Sequence, residues 1–297
     1  MFRPSTLLGA IAAAGLLSLG HTAEARTVNV VASFTVLADV VSEVGGDHVA
    51  VRSLVGPNGD PHEFEPSPDD AKALKAADLA FISGEGLESW FERLAKAAGY
   101  KGKAIVASKG VKTHEMDEDG TTVTDPHVWN DPVNVEVWVK NIEAALVKAD
   151  PEDAADFKAN AARYTKELQA LNTYAQDAFA KIPKEKRKVL TSHDAFGYFG
   201  ARYGVTFLSP IGVSTETEAS ASDVAALIDQ IKKEGVKVYF IENSNDPRLV
   251  KQIAGATGAE PGGDLYVESL SQSDGPAPTY AKMFHYNVDQ IVRAISK

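Results

Sequence analysis

The sequence predicts an α/β protein made of two parallel-sheet lobes that are joined by one long, rigid helix. Short apolar runs alternate with helical segments in both halves of the chain, which is typical of parallel sheets with helical connections. Between the halves, residues 152–182 carry one apolar stripe at spacings of three and four, which indicates a single helix. At 1.5 Å per residue this helix would extend roughly 45 Å, more than the diameter of a small domain. The predicted parts are a signal peptide (1–25), an N-terminal lobe (26–150), a linking helix (151–183) and a C-terminal lobe (184–297).

The first 25 residues have the features of a secretory signal peptide. Arg3 supplies a positive charge, an apolar run covers residues 7–19, and Ala23-Glu24-Ala25 has the pattern of a cleavage site. The apolar run is shorter than the roughly 20 residues that span a bilayer, so a transmembrane anchor is the less favoured alternative. We therefore expect cleavage before Arg26 and export to the periplasm.

Cysteine content and net charge restrict the location and the partners further. The sequence contains no cysteine, and a bacterial lipoprotein needs one at its cleavage site, so we expect a protein that is not a lipoprotein. The net charge of −11 argues against nucleic acid and anionic membranes as partners. We expect the protein to act as a monomer.

In the N-terminal half, two helix starts are the clearest local signals. Ser67 precedes Pro68, and Asp70 follows, which is typical of a capped helix N-terminus. Asp131-Pro132 opens a second helix that runs to about residue 149, and residues 36–44 form a third. The predicted strands are residues 28–32, 49–54, 79–82 and 104–107.

The C-terminal half resumes the alternation after Pro183. The predicted strands are residues 188–191, 205–208, 236–241 and 265–267. The predicted helices are residues 195–203, 222–234, 247–257 and 278–295. Residues 109–126 have no regular pattern, and we expect an exposed acidic loop around 114–120.

Two of the seven histidines follow the same Asp-Pro dipeptide. Asp60-Pro61-His62 and Asp125-Pro126-His127 lie in separate predicted loops. Proline stiffens the backbone before each histidine, and Asp-Pro favours a turn. A histidine beside proline is often an ordinary turn residue, so this motif alone leaves a functional and a structural interpretation open.

Placement on the predicted sheets favours the functional interpretation. His62, His127, His193 and Glu268 each follow a predicted strand, two of them in each half. Ligands of open α/β sheets bind at the carboxyl ends of the strands, so a cleft between the lobes would bring these side chains together. Three imidazoles and one carboxylate form a closed four-ligand set that suits Zn²⁺. His48 and His285 have no such placement, and we expect them to be structural.

Two other polar segments are weaker candidates for chemistry. Gly84-Glu85-Gly86-Leu87 lacks the third glycine and the spacing of a dinucleotide-binding loop. Residues 242–246 are polar and follow a predicted strand, so they either line the cleft or form a solvated turn. We favour the turn.

These motifs resemble those of the metal-binding receptors of bacterial ABC importers that carry zinc or manganese, the cluster A-I solute-binding proteins. The resemblance covers essentially the whole mature chain. It implies two α/β lobes joined by a long helix, with the metal between the lobes. The matching segments are Asp60-Pro61-His62-Glu63-Phe64-Glu65-Pro66, Gly84-Glu85-Gly86-Leu87-Glu88-Ser89-Trp90, Asp125-Pro126-His127-Val128-Trp129, Ser192-His193-Asp194-Ala195-Phe196-Gly197-Tyr198-Phe199 and Leu265-Tyr266-Val267-Glu268-Ser269-Leu270.

The resemblance also bears on the choice of metal. Manganese receptors of the family tend to carry a carboxylate at the position of His193, and zinc receptors carry a histidine, because imidazole suits Zn²⁺ and oxygen-rich sets suit Mn²⁺. The implied zinc ligands are His62, His127, His193 and Glu268. The family usually has aspartate at the position of Glu268, and the extra methylene shifts the carboxylate by roughly 1.3–1.5 Å. Either the loop retreats, or Glu268 binds differently or through water.

A second departure concerns residues 109–126, where many zinc receptors carry a long histidine-rich loop. Here the segment is short and acidic, and His114 is its one histidine. A plain exposed loop is the favoured interpretation. Transient zinc capture or contact with a periplasmic metallochaperone is the alternative.

The predicted function is high-affinity capture of Zn²⁺ and its delivery to an inner-membrane permease driven by an ATPase, with no enzymatic activity. Asp125, Asp131 or Glu63 is expected to orient the imidazoles. The alternatives are a manganese receptor of the same family, a zinc hydrolase and an adhesin. A hydrolase would need an open water position and a general base, which the motifs do not supply.

Overall fold

A computed structural model describes residues 27–118, 121–216 and 218–297 of the chain. The predicted signal peptide, residues 1–25, lies outside the described residues. The described chain forms two parallel-sheet α/β lobes with one long helix between them. The predicted fold class is therefore confirmed.

The N-terminal lobe is built on a four-stranded parallel sheet in the order β2-β1-β3-β4. Its strands are β1 (Val28–Ala32), β2 (Val49–Ser53), β3 (Leu79–Ile82) and β4 (Ile105–Val106). Its helices are α1 (Thr35–Gly45), α2 (Pro68–Ala76), α3 (Phe91–Ala98) and α4 (Pro132–Ala149). At the start of α2, the Ser67 side chain accepts from the Asp70 amide and the Asp70 side chain accepts from the Ser67 amide, as its sequence pattern predicts.

The expectation of an irregular acidic loop at residues 109–126 is wrong in part. Strands β5 (Glu115–Glu118) and β6 (Thr121–Thr124) pair antiparallel as a hairpin. The β-branched residues Thr121, Thr122, Val123 and Thr124 favour a strand, and their backbone pairs with that of Glu115–Glu118. The hairpin leads directly into the loop that carries His127.

Helix α5 (Ala154–Ala180) has 27 residues, which corresponds to roughly 40 Å. Its apolar stripe is buried along its full length, as the spacing predicts. The helix packs against α1 and α4 of the N-terminal lobe and against helices of the C-terminal lobe. The buried residues are Phe157, Ala161, Tyr164, Leu168, Leu171, Ala175 and Phe179.

The C-terminal lobe repeats the parallel arrangement, with strand order β10-β9-β7-β8. Its strands are β7 (Lys188–Leu190), β8 (Thr206–Leu208), β9 (Val238–Glu242) and β10 (Glu260–Leu265). Its helices are α6 (Gly197–Tyr203), α7 (Ala221–Glu234), α8 (Arg248–Thr257) and α9 (Tyr280–Ile295).

The position of β10 differs from the prediction of residues 265–267. The strand begins five residues earlier, in Glu260-Pro261-Gly262-Gly263, which is a sequence typical of a turn. Two features explain this. β10 is an edge strand, where proline is tolerated, and its register with β9 shifts between Pro261 and Gly263. Glu268 still lies just beyond the carboxyl end of the strand.

One apolar core runs through both lobes. It extends from the N-terminal sheet, across the buried stripe of α5, to α9 and the inner residues of the C-terminal sheet. A smaller cluster lies between the C-terminal sheet and helices α7 and α8. Among the described residues, every helix is too short or too polar to cross a membrane.

Candidate metal centre

The structure brings the four predicted ligands together between the lobes. The Nε2 atom of His127 lies 3.2 Å from that of His62 and 3.3 Å from that of His193. Glu268 Oε1 lies 2.7 Å, 3.2 Å and 3.3 Å from the Nε2 atoms of His62, His127 and His193, respectively. His62 is 6% exposed, and the other three are fully buried.

These distances have the size of a tetrahedral coordination shell. Four ligand atoms placed about 2.0 Å from a central ion, at the corners of a regular tetrahedron, are roughly 3.3 Å apart. Four of the five measured distances are 3.2 Å or 3.3 Å, and the contact between His62 and Glu268 is shorter. The arrangement can therefore surround a small cation.

His62 is held by the loop between β2 and α2. Its amide donates to Asp60 Oδ1 at 2.8 Å, which closes the Asp-Pro-His turn. The indole of Trp90 donates to the carbonyl of Pro61 at 2.8 Å, and Phe64 packs on the same indole. These contacts hold the chain before and after His62 and so fix the position of its imidazole.

His127 is oriented by Asp125, one of the three acceptors proposed from the sequence. Asp125 Oδ1 lies 2.8 Å from His127 Nδ1 and also accepts from the His127 amide. This contact directs Nε2 of the ring to the centre of the site. Asp125 Oδ2 lies 2.8 Å from Nε2 of His114, whose ring stacks on Tyr198.

The other two proposed acceptors do not orient a histidine. Asp131 caps α4 through the Val133 amide and pairs with the guanidinium of Arg202. Glu63 is exposed, whereas the four proposed ligands are buried. Proximity in sequence was a poor guide here, because Pro132 begins a helix whose first turn uses the Asp131 carboxylate.

His193 is oriented by Glu242, a residue that is not among the acceptors predicted from the sequence. Glu242 Oε2 lies 2.5 Å from His193 Nδ1, and Oε1 accepts from the amides of Ser192 and His193. Ser244 donates to Glu268 Oε2 at 3.3 Å. The preference for a solvated turn at residues 242–246 is therefore wrong. Glu242 is the last residue of β9, the central neighbour of β7, and this position was the available signal.

The electrostatics of the site follow from burial and close charge pairing. Burial alone would lower the pKa of His193, but Glu242 and Glu268 outweigh it and raise that pKa well above its usual value. Burial likewise opposes the shift at His127, whose pKa is raised by Asp125 and Glu268. Burial alone would raise the pKa of Glu268, but the three histidines outweigh burial and hold that pKa well below its usual range. Glu268 is thus anionic and faces the three imidazoles.

The histidines expected to be structural lie elsewhere. Nδ1 and Nε2 of His48 contact two different carboxylates, at 2.7 Å from Asp153 and 3.1 Å from Asp156. This joins the N-terminal lobe to the start of α5. His285 packs edge-on against Tyr174. The buried Glu88 carboxylate accepts from the backbone amides of Ser83 and Gly84. These bonds account for the conformation at the start of the Gly84-Glu85-Gly86 loop without a bound nucleotide.

Comparisons with known proteins agree with this architecture. A family model described as zinc-uptake complex component A, periplasmic, matches residues 30–294. The iron-binding protein YfeA of Yersinia pestis is 30% identical over 99% of this chain and 97% of its own length. The manganese-binding lipoprotein MntA of Bacillus subtilis is 32% identical over 96% and 95%, respectively.

The solved structures include a protein described as the periplasmic zinc-binding protein TroA from Treponema pallidum. It superimposes with a TM-score of 0.86 at 28% identity and covers 91% of this chain and 100% of that chain. The relatives are thus named for iron, manganese or zinc. Other relatives, such as SsaB of Streptococcus sanguinis, are named substrate-binding lipoproteins of metal ABC transporters, which are receptors rather than enzymes. The prediction of a receptor agrees with these relatives.

One prediction is contradicted by the relatives. MntA of Bacillus subtilis and several streptococcal relatives are named lipoproteins, which contradicts the expectation that this protein is not a lipoprotein. The prediction relied on the absence of cysteine from the 297 residues, which was not a sound basis for separating the chain from lipid-anchored relatives. A location that faces the outside of the cell is consistent with the comparisons.

The coverage of the family model, together with relatives at 30% identity or more across nearly the whole chain, shows that this protein belongs to the zinc-uptake component A family of metal-binding substrate-binding proteins of ABC importers.

Proposed function

We propose that this receptor carries Zn²⁺ and holds it with His62, His127, His193 and Glu268. The observation that supports this most directly is the buried, approximately tetrahedral set of three imidazole nitrogens and one carboxylate oxygen. Tetrahedral sites rich in nitrogen suit Zn²⁺, whereas Mn²⁺ favours more ligands and more oxygen. The names of the relatives do not decide between the metals, so the proposal depends on the site itself.

Direct ligation by Glu268 is part of the proposal. Its Oε1 atom lies within 3.3 Å of all three imidazole Nε2 atoms, and Oε2 accepts from Ser244. The side chain therefore presents one oxygen to the centre and has its other oxygen engaged. This geometry favours a single-oxygen contact with the ion over a contact through water.

Zinc is the cargo of the receptor rather than a resident cofactor. As the substrate-binding component of an ABC importer, the chain delivers its ion to a membrane permease with an ATPase. The ligating imidazoles must be neutral, so zinc and protons compete for the same nitrogen atoms. A metallochaperone as zinc donor stays a prediction.

Metal competition tests the proposal. The metal-free protein is offered equimolar Zn²⁺ and Mn²⁺ at neutral pH, and the bound metal is counted by native mass spectrometry. We expect one zinc per chain, lost or greatly weakened in His193→Ala. The matched control is His48→Ala, which removes a histidine outside the site and should retain the zinc. Bound manganese, or zinc that survives in His193→Ala, would contradict the proposal.

A further inference from the structure

The buried site meets solvent beside His62. A cavity of about 320 Å³ lies there, lined on the N-terminal side by Glu85 to Leu87, Ser89 and residues of the β6 hairpin strand. Among the four proposed ligands, His62 is the one that lines this cavity, and it is also the one with measurable exposure. An ion that leaves the site by this cavity therefore passes His62.

Part of the cavity wall belongs to the C-terminal lobe. Val213, Ser214 and Glu216 line it, and they lie in residues 211–216, which we call the cover segment. The cover segment follows β8, and its first residue, Ile211, forms a parallel β-bridge with His193. The cover segment and His62 therefore line the same cavity.

One carboxylate joins the cover segment to the turn that carries His62. Asp60 Oδ1 accepts from the His62 amide at 2.8 Å, and Asp60 Oδ2 accepts from Thr215 Oγ1 at 2.8 Å. Displacement of the cover segment away from the cavity must break the bond from Thr215. If the bond stayed intact and the turn moved together with the cover segment, His62 would move as well.

The same turn has a second attachment to the C-terminal lobe. The Asn243 amide group donates to Asn58 Oδ1 at 3.0 Å, and the Asn58 backbone amide donates to the carbonyl of Leu270 at 3.2 Å. Helix α5 and the continuous core also hold the two lobes together. Opening the site by local movement at these attachments disturbs far less packing than separating the lobes.

We propose that the bond between Thr215 and Asp60 is a latch that keeps the cover segment closed over His62 and sets the rate at which the ion leaves. Thr215 and Asp60 act as positioning residues and do not contact the ion. This inference rests on the proposed zinc site. It assigns a role to the cover segment that the ligand set alone does not imply.

The test is the rate of zinc release into an excess of chromogenic chelator, measured by stopped flow. Thr215→Val keeps the shape of the side chain and removes the hydroxyl group. We expect release about 3- to 10-fold faster than from the unchanged protein, the range that corresponds to the loss of one hydrogen bond. Thr215→Ser retains a hydroxyl group and should release zinc at close to the original rate.

Two further variants separate a latch from a general loss of stability. Thr257→Val removes a hydroxyl group that donates to the Ile253 carbonyl at the end of α8, so it makes the same chemical change outside the cleft. Its release rate should not change. Asn58→Gly removes the side-chain bond of the second attachment, which Asn243 donates, and keeps the backbone bond to Leu270. Glycine tolerates the left-handed backbone at this position (φ 59°). The Asn58→Gly variant should also release zinc faster.

The visible spectrum of bound Co²⁺ reports on the ligand geometry and should be the same in Thr215→Val as in the unchanged protein. Equal release rates for Thr215→Val and the unchanged protein would overturn the latch, as would equally fast release from Thr215→Ser. If the unchanged protein takes up no zinc, the failure belongs to the proposed function instead.

Discussion

At the scale of single residues, the site depends on carboxylates that hold the rings as much as on the rings themselves. Asp125 and Glu242 each contact the Nδ1 atom of one imidazole, and both also accept backbone amides of the same segment. Each carboxylate therefore fixes the backbone and the ring of its histidine together. The direction of Nε2 follows from this double attachment.

Glu242→Gln should weaken zinc binding by about 10- to 100-fold, because a neutral amide holds the His193 ring less firmly and makes its Nε2 atom a weaker ligand for zinc. The measurement is a chelator competition titration at neutral pH. Glu234→Gln is the matched control, since Glu234 pairs with Lys188 on the surface. Unchanged affinity in Glu242→Gln would show that Glu242 has no part in holding the ring.

Zinc binding should release protons. Nearby carboxylates raise the pKa of His127 and His193, so these rings hold protons to a higher pH than a free imidazole does, and zinc must displace them. The affinity should therefore rise as pH increases through these raised pKa values. Isothermal titration calorimetry in two buffers of different ionisation enthalpy counts the protons, and a heat that is independent of the buffer would contradict this expectation.

The sequence was sufficient to predict the four residues that meet between the lobes, because each follows a predicted strand and ligands of open α/β sheets bind at the carboxyl ends of strands. It was not sufficient to predict Glu242. A carboxylate at the end of a strand resembles a solvated turn until the strand order is known, and β9 becomes the neighbour of β7 only in the folded sheet. The error over Asp131 has the same origin, since its partner Arg202 is distant in sequence.

At the scale of elements, periodicity was reliable and local composition was less so. The stripe of α5 and the start of α2 agree with the structure because they depend on neighbours in sequence. Helix α3 was not predicted, and β10 was placed too late, because pairing with β9 outweighs the turn-like Pro261 and Gly262. Residues 115–118 pair with residues 121–124 as two antiparallel strands, and the acidic composition of the segment does not indicate this pairing.

The buried stripe of α5 leads to a prediction about stability. Leu168→Ala should lower the free energy of unfolding by about 2–5 kcal/mol, because Leu168 is fully buried in the core shared by the lobes. Lys166→Ala lies on the exposed side of the same helix and should change it by no more than about 0.5 kcal/mol. Urea denaturation followed by circular dichroism gives both values, and equal effects would contradict the assigned stripe.

At the scale of the whole molecule, Asp39 links the first and last helices of the described chain. Its carboxylate accepts from the Tyr280 amide at the start of α9 at 2.8 Å. Burial, opposed by this bond and assisted by Glu43 and Glu167, raises the pKa of Asp39 to about 7. The folded protein therefore favours the protonated carboxyl group more than the unfolded chain does.

The contribution of Asp39 to stability is thus complete below about pH 4 and is lost as pH rises to about 7. In Asp39→Asn this loss should disappear, so the variant should gain up to about 2 kcal/mol relative to the unchanged protein between pH 4.5 and pH 7.5. Asp229→Asn, in α7, is the control. Denaturation curves at several pH values test this, and parallel pH profiles for Asp39→Asn and the unchanged protein would argue against it.

The continuous core has a consequence for how the loaded receptor can be recognised. Because the lobes share the packing along α5, we expect them to melt together rather than one after the other. An ion bound at their junction stabilises that single folded unit by an amount that grows with the logarithm of the free zinc concentration above its dissociation constant. The melting temperature of the protein would then act as a gauge of its cargo, so that heat resistance alone distinguishes full receptors from empty ones in a mixed population.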